Sequence, residues 1–291
     1  MWILLIIQTK RFIIRFGGRH LLSSEISAIK NSKISRKTIY YTIIMILLGE
    51  FLTWKSYFFQ SVAGYPHRVP ASQIINPPTA AFLSLNSSGE FLQLILMLLM
   101  PMFLILITIQ RSIERSQDNS TFVLYTRMGN LNKSLINGQL VQFTIFTLLY
   151  IALFAGDFLI NIVLFHRGTS FKGVEDATIN SHLLSLELSH PYLTYLIFIF
   201  VVSVAFGIYA VVTYVLALSL RKTFLVYLVS LGLWIMMFAL PYSSSYFMQP
   251  FIEYDWKEYG LSMLSYLVIC GAVILVGNWI VRLQSHHIYA K

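Results

Sequence analysis

Long apolar runs alternate with short polar interruptions along most of this chain. The runs cover residues 38–59, 91–110, 140–165, 191–220, 223–241 and 261–281. A bilayer's hydrocarbon core is about 30 Å thick and takes roughly 20 helical residues to cross. The pattern therefore predicts an all-α polytopic membrane protein with six transmembrane helices. It divides into an N-terminal amphipathic segment (1–37), a single six-helix transmembrane domain (38–283) and a short tail (284–291).

A few polar residues break the apolar runs. Glu50 and Lys55 fall in span one, and Asp157 and Asn161 fall four apart in span three, on one helical face. Ionisable groups inside a span are costly and mark sites by default. For Glu50, an interhelical hydrogen bond competes with a substrate contact. For Asp157 and Asn161, an internal helix contact competes with a polar point on a transport path. Lys55 can snorkel outward. Pro101 in span two should kink its helix and free backbone carbonyls. In span four, Ser203, Ala205, Gly207 and Ala210 invite close helix approach.

Before span one, Gln8, Arg11, Arg15 and Arg19 share one helical face, while Trp2, Ile6, Ile13 and Phe16 lie mostly elsewhere. This predicts a helix lying in the membrane interface and ended by Gly17-Gly18. The basic residues follow its apolar opening, the reverse of a secretory signal. Lys30, Lys33, Arg36 and Lys37 form a basic collar. Loop one (60–90) reads as an ordered external segment of turns with no chemistry, on its Pro, Asn and Ser content. Loop three (166–190) reads as external and of mixed charge. Residues 244–260 alternate apolar and acidic character and are too short to cross; Tyr246, Phe247, Trp256 and Tyr259 there suit an interfacial belt.

Composition excludes a soluble domain: 57% of residues are hydrophobic and 11% charged, where globular chains carry about 25% charged. The net charge of +9 does not point to nucleic acid, because the basic residues follow membrane sidedness. Lys10, Arg11, Arg15, Arg19, Lys30, Lys33, Arg36, Lys37, Arg111, Arg115, Arg127, Lys133, Arg221, Lys222, Arg282 and Lys291 fall on one side of the six-span layout. Lys55, Arg68, Arg167, Lys172 and Lys257 fall on the other. The positive-inside rule then places both termini in the cytoplasm of a multi-pass plasma-membrane protein. With one cysteine, Cys270, the chain has no intrachain disulfide.

The segment Arg111–Gln139 separates spans two and three on the cytoplasmic side. Within it Leu124, Met128, Leu131 and Leu135 make one stripe of a short amphipathic helix. Ser120 or Thr121 is placed to cap its start and Gly138 its end. The stripe needs a cover: the underside of the chain's own bundle, the headgroup layer, or a groove on a soluble partner.

This segment resembles the loop between the second and third spans of ABC-2-type permeases, the membrane subunits of type-2 ABC exporters. That family often shows a Glu, then a Thr, a Leu-rich turn, an Arg and a Gly-Lys opening the next span. Glu114, Thr121, Leu124, Arg127 and Gly138 fall in that order, although the family's Pro before the Arg is absent and Gln139 replaces the Lys. The resemblance implies an N-terminal elbow helix and a cytoplasmic coupling helix. It implies docking on a separate ATPase through Glu114, Thr121, Leu124, Arg127, Met128, Leu131 and Leu135. It further implies a second permease chain, identical or related, and ATP and magnesium bound by the ATPase. A bacterial plasma membrane is the expected setting, with lipid around the spans and short re-entrant helices near 244–260.

Other chemistry is not signalled. There is no P-loop and no HExxH motif. His286-His287 are adjacent and splay apart on a helix, and Asn86–Glu90 (NSSGE) has no paired histidine in a later span. No cofactor or metal is expected in this chain, and it is not expected to be an enzyme itself. The cargo class is amphipathic: lipid, glycan, peptide antibiotic or drug. A polytopic membrane enzyme or protease using Glu50, Asp157 or loop histidines is the alternative, and a non-transporting sensor or immunity protein is another.

Overall fold

The computed structural model describes residues 19–59, 75–84, 90–117, 131–169, 182–252 and 254–289. These form helices α1 (Arg19–Asn31), α2 (Lys33–Phe59), α3 (Pro77–Ala80), α4 (Glu90–Leu104), a π-helical segment (Ile105–Ile109), α5 (Gln110–Gln117), α6 (Leu131–Leu164), α7 (His182–Ser189), α8 (Pro191–Leu220), α9 (Thr223–Ala239) and α10 (Trp256–Tyr289). No strand occurs among the described residues. The protein is an all-helical membrane protein.

Among the described residues, four helical stretches are long and apolar enough to cross a membrane: Glu90–Glu114, Asn132–Leu164, Pro191–Leu220 and Trp256–Ser285. Two further helices run alongside them. Helix α2 has 27 residues, but Glu50, Lys55 and its threonines dilute its apolar stretch. Helix α9 has 17 residues and rises about 25 Å, a little short of the hydrocarbon thickness.

Helix α8 is the centre of the bundle. Its most apolar window is 61% buried, against 22% for α10, so α10 turns most of its surface outward while α8 is wrapped by α6, α9 and α10. Of the small residues expected to permit close approach, Gly207 does so. A side chain at Gly207 would overlap the Thr147 hydroxyl and meet the Phe143 ring at 3.0 Å, which lets the α6 and α8 backbones approach one another. Around this contact pack Tyr150, Phe154 and Phe206, with the Tyr150 and Phe206 rings edge to face at 4.6 Å.

Pro101 sits inside α4 and cannot donate to the carbonyl of Met97 one turn earlier. Trp234 of α9 takes that place, donating its indole N–H to the Met97 carbonyl at 2.8 Å. One turn further the helix widens into the π segment, and Ser35 of α2 donates its hydroxyl to the Ile107 carbonyl at 2.6 Å. The kink region expected from sequence is thus stitched to two neighbouring helices.

At the end of the bundle that carries the basic collar, polar side chains join the helices in pairs. Thr108 donates to Gln142 at 2.6 Å, Gln139 to Asn278 at 2.7 Å, and Gln284 to the Ser219 carbonyl at 2.9 Å. Arg111 pairs with Glu25 of α1 at 3.8 Å. Lys30, Lys33, Arg36 and Lys37 are exposed. The turn at Arg221-Lys222 forms as expected, with Arg221 in the left-handed region at φ 56°.

The layout is corrected at several boundaries. Helix α6 starts at Leu131, nine residues before the expected start of span three, and α10 continues to Tyr289 through the expected tail. Gly138 therefore closes no helix. It lies inside α6, where the missing side chain makes room for the Tyr214 hydroxyl. A short helix, α7, forms within loop three. Residues 243–251 make turns where a re-entrant helix was expected. Phe247 is buried against Tyr266, with ring centroids 5.3 Å apart, so it does not belong to an interfacial belt. The expected interfacial helix over residues 2–16 lies outside the described residues.

Candidate functional site

The sequence read residues 60–90 as an external loop. Within it, the stretch 75–84 is instead buried at every position. Asn76 and Pro77-Pro78 start the one-turn helix α3, since proline is preorganised for a first turn and needs no donor there. A side chain at Gly168, just past α6, would collide with the Ile75 backbone carbonyl, so glycine there admits the segment. Ala81–Ser84 then plugs the end of the bundle opposite the basic collar.

Buried backbone must find hydrogen-bond partners, and three helices supply them to this plug. Asp157 of α6 accepts the Phe82 N–H through Oδ2 at 3.2 Å. The Tyr195 hydroxyl of α8 accepts the Leu83 N–H at 3.0 Å, and Gln93 of α4 donates to the Leu83 carbonyl at 2.9 Å. All three side chains are nearly inaccessible: Asp157 is 2% exposed, Tyr195 0% and Gln93 0%. Tyr195 is braced in turn by Phe158, their rings 4.5 Å apart.

Behind this clamp lies Glu50 of α2, 3% exposed. Its carboxyl faces both Asp157 and Asn161, within hydrogen-bonding reach of each. Glu50 is poorly served by donors. Neither of its oxygens has a well-aligned N–H or O–H partner, and Asp157 Oδ1 and Asn161 Oδ1 also lack one. Asn161 commits its Nδ2 to the Asp157 carbonyl at 3.1 Å. Among the described residues no cation pairs with either carboxyl. Two acidic side chains and an amide from two helices thus meet inside the bundle beside the plug.

Glu50, Asp157 and Asn161, singled out separately in the sequence, are brought together. Tyr195 and Gln93 were missed. Gln93 offered a signal, as a polar side chain in the first turn of an otherwise apolar span. Tyr195 offered none, because tyrosine is common at span ends.

Of the residues expected to dock an ATPase, Thr121, Leu124, Arg127 and Met128 lie outside the described residues. Glu114 is exposed midway along α5 and accepts from Gln110 at 3.1 Å. Leu131 opens α6. Leu135 is 2% exposed and packs among Val211, Tyr214, Val215, Leu218 and Val281. Its part of the stripe is covered by the bundle itself, which takes Leu135 out of the docking set.

A second cluster holds α7 to the turns after α9. The Phe251 N–H donates to Glu187 at 2.8 Å, and the Leu183 N–H to Asp255 at 3.3 Å. Burial pushes the Glu187 carboxyl up to about 7, against the opposing pull of the Phe251 N–H. Ser262 donates to the Ser243 carbonyl, and Tyr246 stacks on Tyr254 at 3.7 Å.

No family model and no solved structure matches this chain. Over 205 residues it is 24% identical to the uncharacterized protein YybM of Bacillus subtilis (strain 168). That similarity covers 69% of this chain and 81% of the relative.

Proposed function

We propose that this chain is the membrane-spanning permease subunit of an ATP-driven exporter of the ABC-2 type. In this reading α2 and α9 cross the bilayer with the four longer apolar stretches, giving six spans with both termini in the cytoplasm of a bacterial cell. Two permease chains pair within the lipid, and separate ATPase subunits bind ATP and magnesium below them. Spans one, two and five line a path for an amphipathic lipid, glycan, peptide antibiotic or drug, and its polar points are Glu50 of span one and Asp157 and Asn161, which reach it from span three.

The observation that carries this reading is the continuity of α6. Its 34 residues make a rod about 51 Å long, from the Arg111–Gln139 segment to the clamp on the plug. The other arm of that segment, α5, is equally tied in. Ser116 donates to the Leu218 carbonyl at 3.5 Å, and Thr108 just above joins Gln142 on α6. A partner that moves the segment therefore moves the far end of the bundle, and differential contact in two conformations is all that such coupling requires. Glu114, Thr121, Leu124, Arg127, Met128 and Leu131 remain as docking residues.

Replacing Leu131 by Asp tests the docking directly, in cells co-expressing an ABC-class ATPase encoded beside the permease. Export and ATPase copurification should both fall while the permease stays in the membrane. Unchanged export would remove the docking assignment.

The meeting of Glu50 with Asp157 favours one second reading, a polytopic membrane hydrolase using paired carboxyls as acid and base. Alanine at either residue should then abolish turnover of a substrate by the isolated chain, whereas a permease would be weakened only in export.

A further inference from the structure

The outward face of α2 changes character along its axis in a fixed order. Lys33, Arg36 and Lys37 open the helix and are exposed, with Lys30 just before them in the last turn of α1. Tyr40 and Tyr41 follow, 61% and 60% exposed. Ile44, Leu48 and Phe51 carry the exposed face onward by turns of the helix, and the exposed Lys55 ends it. Lys37 and Lys55 stand about 27 Å apart along the axis, close to the thickness of a hydrocarbon core, about 30 Å. The stripe thus has the length and the order of a bilayer cross-section. Its tyrosines fall at the interface and its cluster of cations at headgroup level.

That cluster is held in place and left uncompensated. No loop separates α1 from α2: the Ser32 N–H donates to the Ala28 carbonyl at 3.0 Å and the Arg36 N–H to the Ser32 carbonyl at 3.2 Å. Glu25, the acidic residue of α1, is 7% exposed and turns inward to Arg111. Among the described residues, none of Lys30, Lys33, Arg36 and Lys37 is paired with an acidic side chain. The neighbouring helices bring less charge to this level. Among the described residues, the start of α9 and the end of α10 add one exposed cation each, Lys222 and Arg282.

Two occupants compete for such a face. A second copy of the chain, paired about an axis along the membrane normal, would set lysine against lysine at one height, which like charge disfavours. A phospholipid with an anionic headgroup brings the opposite charge to that height and lays its acyl chains along the aliphatic stripe. A headgroup with a cation of its own gains less. We propose that the exposed face of α1 and α2 is a binding seam for an anionic phospholipid, its phosphate held by Lys30, Lys33, Arg36 and Lys37 and its acyl chains by Ile44 and Leu48. The proposal shares with the six-span reading only that α2 crosses the bilayer, and it needs no ATPase.

The test uses the full chain in nanodiscs holding equal amounts of phosphatidylglycerol and phosphatidylcholine, with retained lipids counted by native mass spectrometry. Each cation near a membrane surface contributes about fivefold to the preference for anionic lipid. The wild type should therefore retain phosphatidylglycerol in about tenfold excess or more. Lys33→Gln/Lys37→Gln should remove most of that excess, while Lys222→Gln, at the same level, should keep it. The collar also helps to orient the chain, so Lys37→Gln alone serves where the double variant misinserts, and should lower the excess about fivefold. A wild type that retains both lipids equally would overturn the proposal. An excess lost as fully in Lys222→Gln would mean net charge alone, and one kept in the Lys33 and Lys37 variants would place the lipid elsewhere; either result overturns it. Efficient disulfide cross-linking between copies of Tyr41→Cys, in a Cys270→Ala background, would put a second chain on the seam and overturn it too.

Discussion

Asp157, buried towards the C-terminal end of α6, accepts the backbone N–H of Phe82, a residue 75 positions earlier in a proline-flanked loop, at 3.2 Å. This bond turns a stretch that reads as an external loop into a stopper. Removing it should loosen the stopper without unfolding the bundle. With Ala81, which is 0% exposed, changed to cysteine and Cys270 to alanine, Asp157→Ala should raise labelling by a membrane-impermeant maleimide roughly tenfold, the scale of one lost buried hydrogen bond. Asp157→Asn keeps an acceptor and should raise it far less. Equal labelling in all three backgrounds would mean that the clamp does not hold the plug.

Trp234 substitutes for the donor that Pro101 removes. Trp234→Phe leaves the Met97 carbonyl without a partner and should cost about 1–3 kcal/mol. In a Pro101→Ala background the helix can supply its own N–H, so the same change should cost less. A double-mutant cycle read by thermal unfolding should give a coupling of about 1 kcal/mol. Additive costs would show that the indole contributes packing alone.

Close approach of α6 and α8 depends on Gly207. Gly207→Val would drive a side chain into Thr147 and Phe143 and should destabilise the fold by about 1–3 kcal/mol, the usual penalty of overpacking. A lower unfolding temperature in detergent checks this. Gly232→Ala, inside α9 at a position with open space around the added carbon, is the control and should leave the temperature unchanged or raise it slightly, since alanine favours the helix.

Glu187 makes the α7 cluster sensitive to pH. In the folded chain its carboxyl keeps a proton up to about 7, against an ordinary value of 4.5. Between those values the folded state binds more protons than the unfolded state, so stability contributed here is present at low pH and lost as pH rises through the window. Glu187→Gln retains an acceptor for Phe251 and cannot ionise. The wild type minus variant difference in unfolding temperature should therefore become more negative from pH 5 to pH 8. A flat difference would show that Glu187 does not titrate in this window.

Much of the helical frame was legible in the apolar runs. Span four matches α8 at both ends, and the turn at Arg221-Lys222 falls where the polar pair interrupts the runs. Glu50, Asp157 and Asn161 stood out because charge inside a span needs a reason. The plug did not stand out, since Asn76, Pro77 and Pro78 carry the composition of an exposed turn. They are buried only because Asp157, Tyr195 and Gln93, distant in sequence, satisfy the backbone that follows. Gly138 misled for a related reason. Its glycine serves Tyr214 from across the bundle, and no local pattern distinguishes that from a helix stop.

On the exporter reading proposed above, this chain moves its cargo only when a separate ATPase drives it. The most direct measurement compares proteoliposomes holding the purified chain alone with others holding it together with an ABC-class ATPase encoded beside it, with ATP present in both. The expected result is ATP-dependent substrate movement, and ATPase activity raised by the permease, only when both proteins are present. Transport or chemical turnover by the chain alone would contradict the claim.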